Sequence, residues 1–212
     1  MAVKNRLNDE KKFWSKFASR YDTFMGSQIS SYATLVKKIL GEMRPSWTVL
    51  EVAAGTGLIT LNVARAVWEV HAIDITPEMI TQAEEKARAQ GIKNIVFSVD
   101  DAYALPFADC TYDAVICSNA LHNMREPQKA LLEMRRVTKP AGILITPTFC
   151  HGEGLKSRAI SHLMALIGFP AYHRFTVKRL EALIKDSGLE IEKSEIIKER
   201  IPMAYIVSKP AQ

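Results

Sequence analysis

Val49-Leu50-Glu51-Val52-Ala53-Ala54-Gly55-Thr56-Gly57-Leu58 is the stretch that decides the fold. Its first four residues read as a short buried strand. That strand passes into a turn of small residues and then, from Leu58, into a helical pattern. Gly55 and Gly57 let backbone approach a ligand closely, as in the first turn of nucleotide-binding folds. A G-x-G spacing alone carries little, and Glu51 narrows it. A carboxylate at the end of this strand faces the ligand side, where it would repel the pyrophosphate of a dinucleotide but can meet a ligand ammonium, directly or through water. Thr60 also stands where the third glycine of a G-x-G-x-x-G fingerprint would fall.

Outward from this turn, short runs rich in β-branched residues alternate with helical periodicity from Trp47 onward. The alternation predicts a parallel sheet with helices on both faces. Strands are expected near 47–52, 69–75, 95–99, 113–117, 142–148, 189–197 and 201–208. Thr76, Pro77 and Glu78 give a helix start, with Ile80, Ala83 and Ala87 as its stripe and Gly91 as its stop. Ala130, Met134 and Val137 form a second stripe before a turn at Lys139-Pro140-Ala141-Gly142. A last helix runs from Thr176 to Gly188 over Leu180, Leu183 and Ile184. Ahead of the core, Trp14, Phe17, Tyr21 and Phe24 recur at three and four residues, an aromatic stripe on an N-terminal helix. Residues 151–174 break the rhythm with Leu155, Ile160, Leu163, Leu166 and Ile167, then Phe169-Pro170. An insertion there can cover the crevice of an open α/β sheet. The expected organisation is one domain, 1–212, with an N-terminal helical cap (1–44), a core (45–150), a cap insertion (151–174) and a C-terminal helix and strand pair (175–212).

The 212 residues, 48% hydrophobic and 24% charged, fit a globular domain rather than a disordered or fibrous chain. No apolar run approaches the roughly 18 residues of a membrane span, and the charged N-terminus lacks a signal peptide's apolar segment, so the expected location is cytoplasmic. Cys110, Cys117 and Cys150 form no C-x-x-C pair and no cluster with histidine, so neither disulfide nor metal is expected. The net charge of +5 sits wholly in residues 1–44, with nine Lys/Arg against four Asp/Glu. That basic arm offers a surface for transient contact with an anionic membrane, while the absence of a dense Lys/Arg cluster interleaved with aromatics argues against nucleic acid.

Two further strand ends define the ligand. Asp74 ends the second strand, where an acid accepts from ribose hydroxyls. The third ends in Asp100-Asp101-Ala102, where an acid can accept from the amine of adenine while Ile75 and Met79 wall the ring. A ligand with an ammonium, a ribose and an adenine but no phosphate is S-adenosylmethionine, whose product form is S-adenosylhomocysteine.

The order Glu51-x-Ala53-x-Gly55-x-Gly57, Asp74, Asp101-Ala102 with Leu105-Pro106-Phe107, Tyr112-Asp113-Ala114-Val115, Leu121-His122-Asn123 and Glu133 through Gly142 resembles the motifs of class I S-adenosylmethionine-dependent methyltransferases. The likeness covers about residues 12–208 and is similar in kind to the ubiquinone/menaquinone-biosynthesis type. Ala53 and Ala141 stand where that pattern usually has glycine. The resemblance implies a Rossmann-like, doubly wound, seven-stranded sheet, mostly parallel with an antiparallel last strand, plus a helical cap. It carries Glu51, Ala53, Gly55, Gly57, Asp74, Ile75, Met79, Asp101 and Ala102 into cofactor roles, brings the backbone at Cys117, Ser118 and Asn119 near the methionine moiety, and lets Tyr21 close over it.

The expected activity is methyl transfer by in-line displacement to a small, partly hydrophobic acceptor, quinone-like, lipid or otherwise. His122 is the candidate base for an acceptor that must lose a proton. His151, His162, Tyr172 and His173 lie in the cap segment as further acceptor-side candidates, and Lys156, Arg158 and Arg174 suit an anionic group. A non-catalytic S-adenosylmethionine-binding protein and a nicotinamide-dependent oxidoreductase are the alternatives. Glu51 and the missing glycine weigh against the second.

Overall fold

Three parallel strands carry the chain up to Asp101: β1 (Thr48–Val52), β2 (Glu69–Asp74) and β3 (Ile95–Val99), in the order β3-β2-β1. Val49, Leu50 and Val52 are fully buried, as strands covered on both faces require. The computed structural model describes residues 11–18, 21, 22, 29–166 and 172–211, which divide into two units at Asp101/Ala102. In the first unit a helix over 11–18 (α1) brings Phe13, Trp14 and Phe17 against one another and against Tyr21, with ring centroids 5.1–6.3 Å apart. The expected fourth member, Phe24, lies outside the described residues. Helix α2 (Ile29–Glu42) buries Leu35 and Ile39, and α3 (Thr60–Val63) is a single turn. Helix α4 (Pro77–Ala89) starts on Pro77, carries Glu78 in its first turn, buries Met79, Ile80, Ala83 and Ala87, and is followed by Gly91 at φ +67°, as its start and stop residues predict.

The second unit is built on β4 (Tyr112–Ile116), β5 (Thr138–Ile145), β6 (Thr148–Phe149), β7 (Leu189–Ile197) and β8 (Met203–Pro210). β4 and β5 are parallel, and β8 runs antiparallel to β5, β6 and β7. β5 and β6 meet β8 in one continuous register, Leu144↔Ser208 through Phe149↔Met203. They are one strand interrupted at Thr146-Pro147, where proline has no N–H to give the ladder. Counted so, the described residues form the seven strands expected. The fold is α/β and mostly parallel, with β8 antiparallel. Helix α5 (Pro127–Val137) buries Ala130, Met134 and Val137, and α7 (Val177–Asp186) is capped by Thr176, whose hydroxyl accepts from the Arg179 N–H.

Three expectations need correction. Lys139-Pro140-Ala141-Gly142 is not a turn ahead of the fifth strand but lies inside it. Tyr112 pairs with Thr138 and Ala114 with Ile143, so these four residues bulge between two paired stretches. Lys139 Nζ holds the bulge 2.7 Å from Asp113 Oδ1, and a side chain on Gly142 would meet the Asp113 carbonyl at 2.8 Å. The last strand begins at Met203, not at 201, because Pro202 cannot donate. The cap segment contains a helix, α6 (Gly154–Leu166), but Leu155 and Leu163 do not pack: they are 83% and 65% exposed, whereas Ser157 and Ser161 are buried. On the inward face Arg174 Nε donates to Ser161 Oγ at 2.9 Å, and Ile160 is half-buried beside it. The side chain of Leu166, and all of Ile167, Phe169 and Pro170, lie outside the described residues.

Candidate functional site

The turn after β1 is a left-handed corner. Ala53, Gly55 and Gly57 have φ of +58°, +56° and +78°, a conformation that costs an alanine roughly 1 to 2 kcal/mol. The Ala54 N–H donates to the Ile73 carbonyl at 2.9 Å and the Gly57 N–H to the Ala54 carbonyl at 3.1 Å, which ties the corner to the end of β2. The two glycines serve different neighbours. A Cβ on Gly57 would stand 3.1 Å from Ala83 Cβ, so its bareness lets α4 dock, while a Cβ on Gly55 would stand 3.8 Å from the Tyr21 ring.

Two carboxylates flank this corner. Glu51, 3% exposed, accepts from Thr60 Oγ1 at 2.5 Å. Burial pushes its carboxyl up to about 8, against the opposing pull of the Thr60 hydrogen bond. The residue that occupies the place of a third fingerprint glycine is therefore the partner of Glu51. Asp74, 8% exposed, accepts from the Gly55 N–H through Oδ2 and from the Thr76 N–H through Oδ1, each at 2.9 Å. Burial raises its pKa and the two amides work against that rise. The Tyr21 phenol is pushed far upward by burial and by Asp74, Glu51 and Asp22, so it stays a neutral donor. Asp22 also accepts from Thr56 Oγ1 at 2.6 Å and pairs with Lys86, whose ammonium donates to the Thr56 carbonyl at 3.0 Å. No local signal announces the bracing by Asp22 and Lys86, since they lie 34 and 30 residues from Thr56 in opposite directions. Ile75 is half-buried beside Asp74, Met79 is buried at 2% exposure, and Asp101 is half-buried next to Asp100, which accepts from the Ser98 hydroxyl. The structure thus gathers Tyr21, Glu51, Ala53, Gly55, Gly57 and Asp74 around one corner of the first unit.

The remaining candidates belong to the second unit. Ala102 opens it, half-buried. The Leu105-Pro106-Phe107 run is shaped from α5. Glu133 accepts from the Leu105 N–H at 2.9 Å, and Arg136 donates to the carbonyls of Leu105 and Phe107 at 3.0 and 2.7 Å. The Arg136 guanidinium holds Glu133 below the usual carboxylate range. Beyond β4 the Cys117 N–H still donates to the Ile145 carbonyl, and Asn119, at φ +54°, donates its N–H to the Pro147 carbonyl at 2.7 Å. Ser118 Oγ and Asn119 Oδ1 are buried there without a hydrogen-bond partner among the described residues, the condition in which a polar ligand is missed most.

His122 follows in a 3₁₀ turn (Leu121–Asn123), 1% exposed. Its ring lies 4.9 Å from that of His151, also 1% exposed, and 6.2 Å from Phe149. Burial, then His151 and His173, drive the His122 imidazole below its usual range. Burial and Arg174 bring His151 down to about 4. Both rings are therefore neutral at physiological pH. Of the four cap candidates, only His151 joins His122 ring to ring. His173 donates its N–H to the His122 carbonyl at 3.0 Å and stacks on Phe175, Tyr172 lies under the Arg125 guanidinium, and His162 is exposed. Sequence spacing could not separate these four, because β6 and the 3₁₀ turn meet only in the folded unit. Among the described residues no group of three or more His, Cys, Asp or Glu could hold a metal ion, and no helix is long and apolar enough to cross a membrane.

Residues 49–142 match the methyltransferase domain family. The chain is 39% identical over 136 residues to a demethylmenaquinone methyltransferase of Renibacterium salmoninarum, an alignment covering 64% of this chain and 55% of the relative. It is 40% identical over 111 residues to a ubiquinone/menaquinone biosynthesis C-methyltransferase of Klebsiella pneumoniae, covering 50% and 44%. The chain spans about half the length of these curated relatives. Among solved structures it resembles the phosphoethanolamine N-methyltransferase 2 of Haemonchus contortus, with a TM-score of 0.78 at 15% identity over 97% of this chain and 59% of that one. That likeness is one of fold. The corner after β1, the acid ending β2 and the bulge of β5 all lie inside residues 49–142, the stretch that matches the methyltransferase domain family.

Proposed function

We propose that the chain is an S-adenosylmethionine-dependent methyltransferase acting on a small, partly hydrophobic acceptor of the kind named in its quinone-biosynthesis relatives. The observation that carries this reading is the pair of buried carboxylates, Glu51 and Asp74, on one left-handed corner. An ammonium draws the proton from Glu51 and pairs with the carboxylate, and Asp74 accepts from ribose hydroxyls, whereas a pyrophosphate finds no cation at either acid, which disfavours a nicotinamide cofactor. Bound S-adenosylmethionine supplies an electrophilic methyl on a sulfonium. Glu51 meets the ammonium and Asp74 the ribose, Asp101 and Ala102 the adenine edge with Ile75 and Met79 at its faces, and Ser118 and Asn119 the methionine end. Tyr21, with its ring against Gly55, covers the corner. The protein's part in the displacement is to hold the acceptor at attack distance and keep water out.

Where the acceptor must lose a proton, His122 takes it. Its neutrality suits a base, and His151 fixes the ring it packs against. The three cysteines are free, which fits a reducing cytoplasm, and the basic N-terminal arm suits transient contact with an anionic surface. Titration calorimetry with S-adenosylhomocysteine and, separately, NAD tests the cofactor reading. Binding of the first and not of the second is expected, and tight NAD binding without a response to S-adenosylhomocysteine would overturn it.

A further inference from the structure

Helix α6 wears its amphipathicity inside out. Leu155, Ala159 and Leu163, spaced i, i+4 and i+8, form one stripe over two turns, and all three are exposed. Ser157 and Ser161 take the buried face. Lys156, Arg158 and His162 flank the stripe on the exposed side, and the helix has no acidic residue. The acid just before it, Glu153, is turned away, accepting from the Val177 N–H at the start of α7 at 3.0 Å. Two leucines left in water beside cations do not serve the packing of the unit.

We propose that α6 is a lipid-docking helix that lies on an anionic bilayer. Leu155 and Leu163 enter the interface, and Lys156 and Arg158 meet the phosphate head groups. The charge pattern chooses this occupant, because cations beside an apolar stripe and no acid complement an anionic, apolar-cored surface. The inference goes beyond methyl transfer and adds where a hydrophobic acceptor is collected. Lipid binding needs neither cofactor nor acceptor, so failure here is separable from failure of the methyltransferase reading.

The test is co-sedimentation of the full chain with vesicles of phosphatidylcholine alone or with half phosphatidylglycerol, at low and high salt. Binding is expected to the anionic vesicles only and to weaken with salt. Leu155→Ser with Leu163→Ser, both at exposed positions, should reduce it roughly tenfold or more. Lys156→Gln with Arg158→Gln should reduce it by roughly fivefold per charge. A control variant, Lys11→Gln with Lys12→Gln and Lys16→Gln, should leave most of the binding. Absence of vesicle binding overturns the proposal, and so does binding that the leucine variant keeps and the control loses, which would assign contact to the basic arm. A dimer in sedimentation velocity that the leucine substitutions dissolve, without vesicle binding, would overturn it in favour of a second copy on this face.

Discussion

The corner after β1 and the loop after β4 carry polar candidates of the same kind but in opposite states. At the corner nearly every group already has an internal partner: Asp74 holds the Gly55 and Thr76 amides, Thr60 holds Glu51, and Lys86 with Asp22 holds Thr56. At the loop Ser118 Oγ and Asn119 Oδ1 are buried and unmatched among the described residues. The corner is preorganised, so on the proposed reading its residues serve stability and binding together. The loop carries a desolvation cost that a polar ligand or an ordered water would offset.

The largest effect that would break this contrast is at Asp74. Asp74→Ala should strip the buried Thr76 amide and the half-buried Gly55 amide of their acceptor, lowering unfolding stability by roughly 1 to 3 kcal/mol and weakening S-adenosylhomocysteine binding as well. Denaturant unfolding alongside calorimetry reads both. Unchanged stability would show the corner to be as loosely matched as the loop.

Glu51 comes next, through pH. Its carboxyl titrates near 8 in the folded chain against an ordinary 4.5, so between those values the folded protein holds a proton that the unfolded chain has released. Stability must fall as pH rises across that window, by at most about 1.4 kcal/mol per unit. Glu51→Gln should flatten the slope, leaving the free protein more stable than the parent at pH 8 while binding the ammonium of S-adenosylhomocysteine less well. Parallel unfolding curves at pH 5 and pH 8 for parent and variant would refute the assignment.

Ser118→Ala sharpens the other side. Removing an unmatched buried hydroxyl should leave stability unchanged or raise it by up to about 1 kcal/mol, with the loss visible only in ligand binding. A clear destabilisation would mean that the hydroxyl has a partner within the fold. The smallest effect belongs to Ala53→Gly. Relief of the left-handed strain, less the backbone entropy of glycine, should gain under about 1 kcal/mol, measured as a small rise in the unfolding midpoint.

Much of this was legible beforehand because it is written in local pattern. Alternation of β-branched runs gave every strand to within a few residues, and Thr76-Pro77-Glu78 with Gly91 set the ends of α4. The small-residue turn with Glu51 and Asp74 marked the corner, since chain connectivity alone brings the ends of β1 and β2 together when they pair in register. Where the reading failed, the competing force was tertiary. Lys139–Gly142 look like a turn and become a bulge because β4 and Asp113 reach them. The stripe of α6 looks like a packing face and becomes an outer face because Arg174 supplies Ser161 with a partner on the other side.

The sequence by itself determined the succession of strands and helices along the chain, the small-residue corner and the acids that flank it, because periodicity, turn chemistry and strand ends are properties of neighbours along the chain. Only the tertiary structure decided that Thr60 rather than water serves Glu51, that Asp22 and Lys86 brace Thr56 from afar, and that His151 rather than His162 or His173 meets the ring of His122. The same holds for the exposure of the α6 leucines. These depend on which side chains share a low-dielectric interior, and burial, which shifts the pKa of Glu51 and His122 and prices every unmatched polar atom, exists only once distant segments have packed.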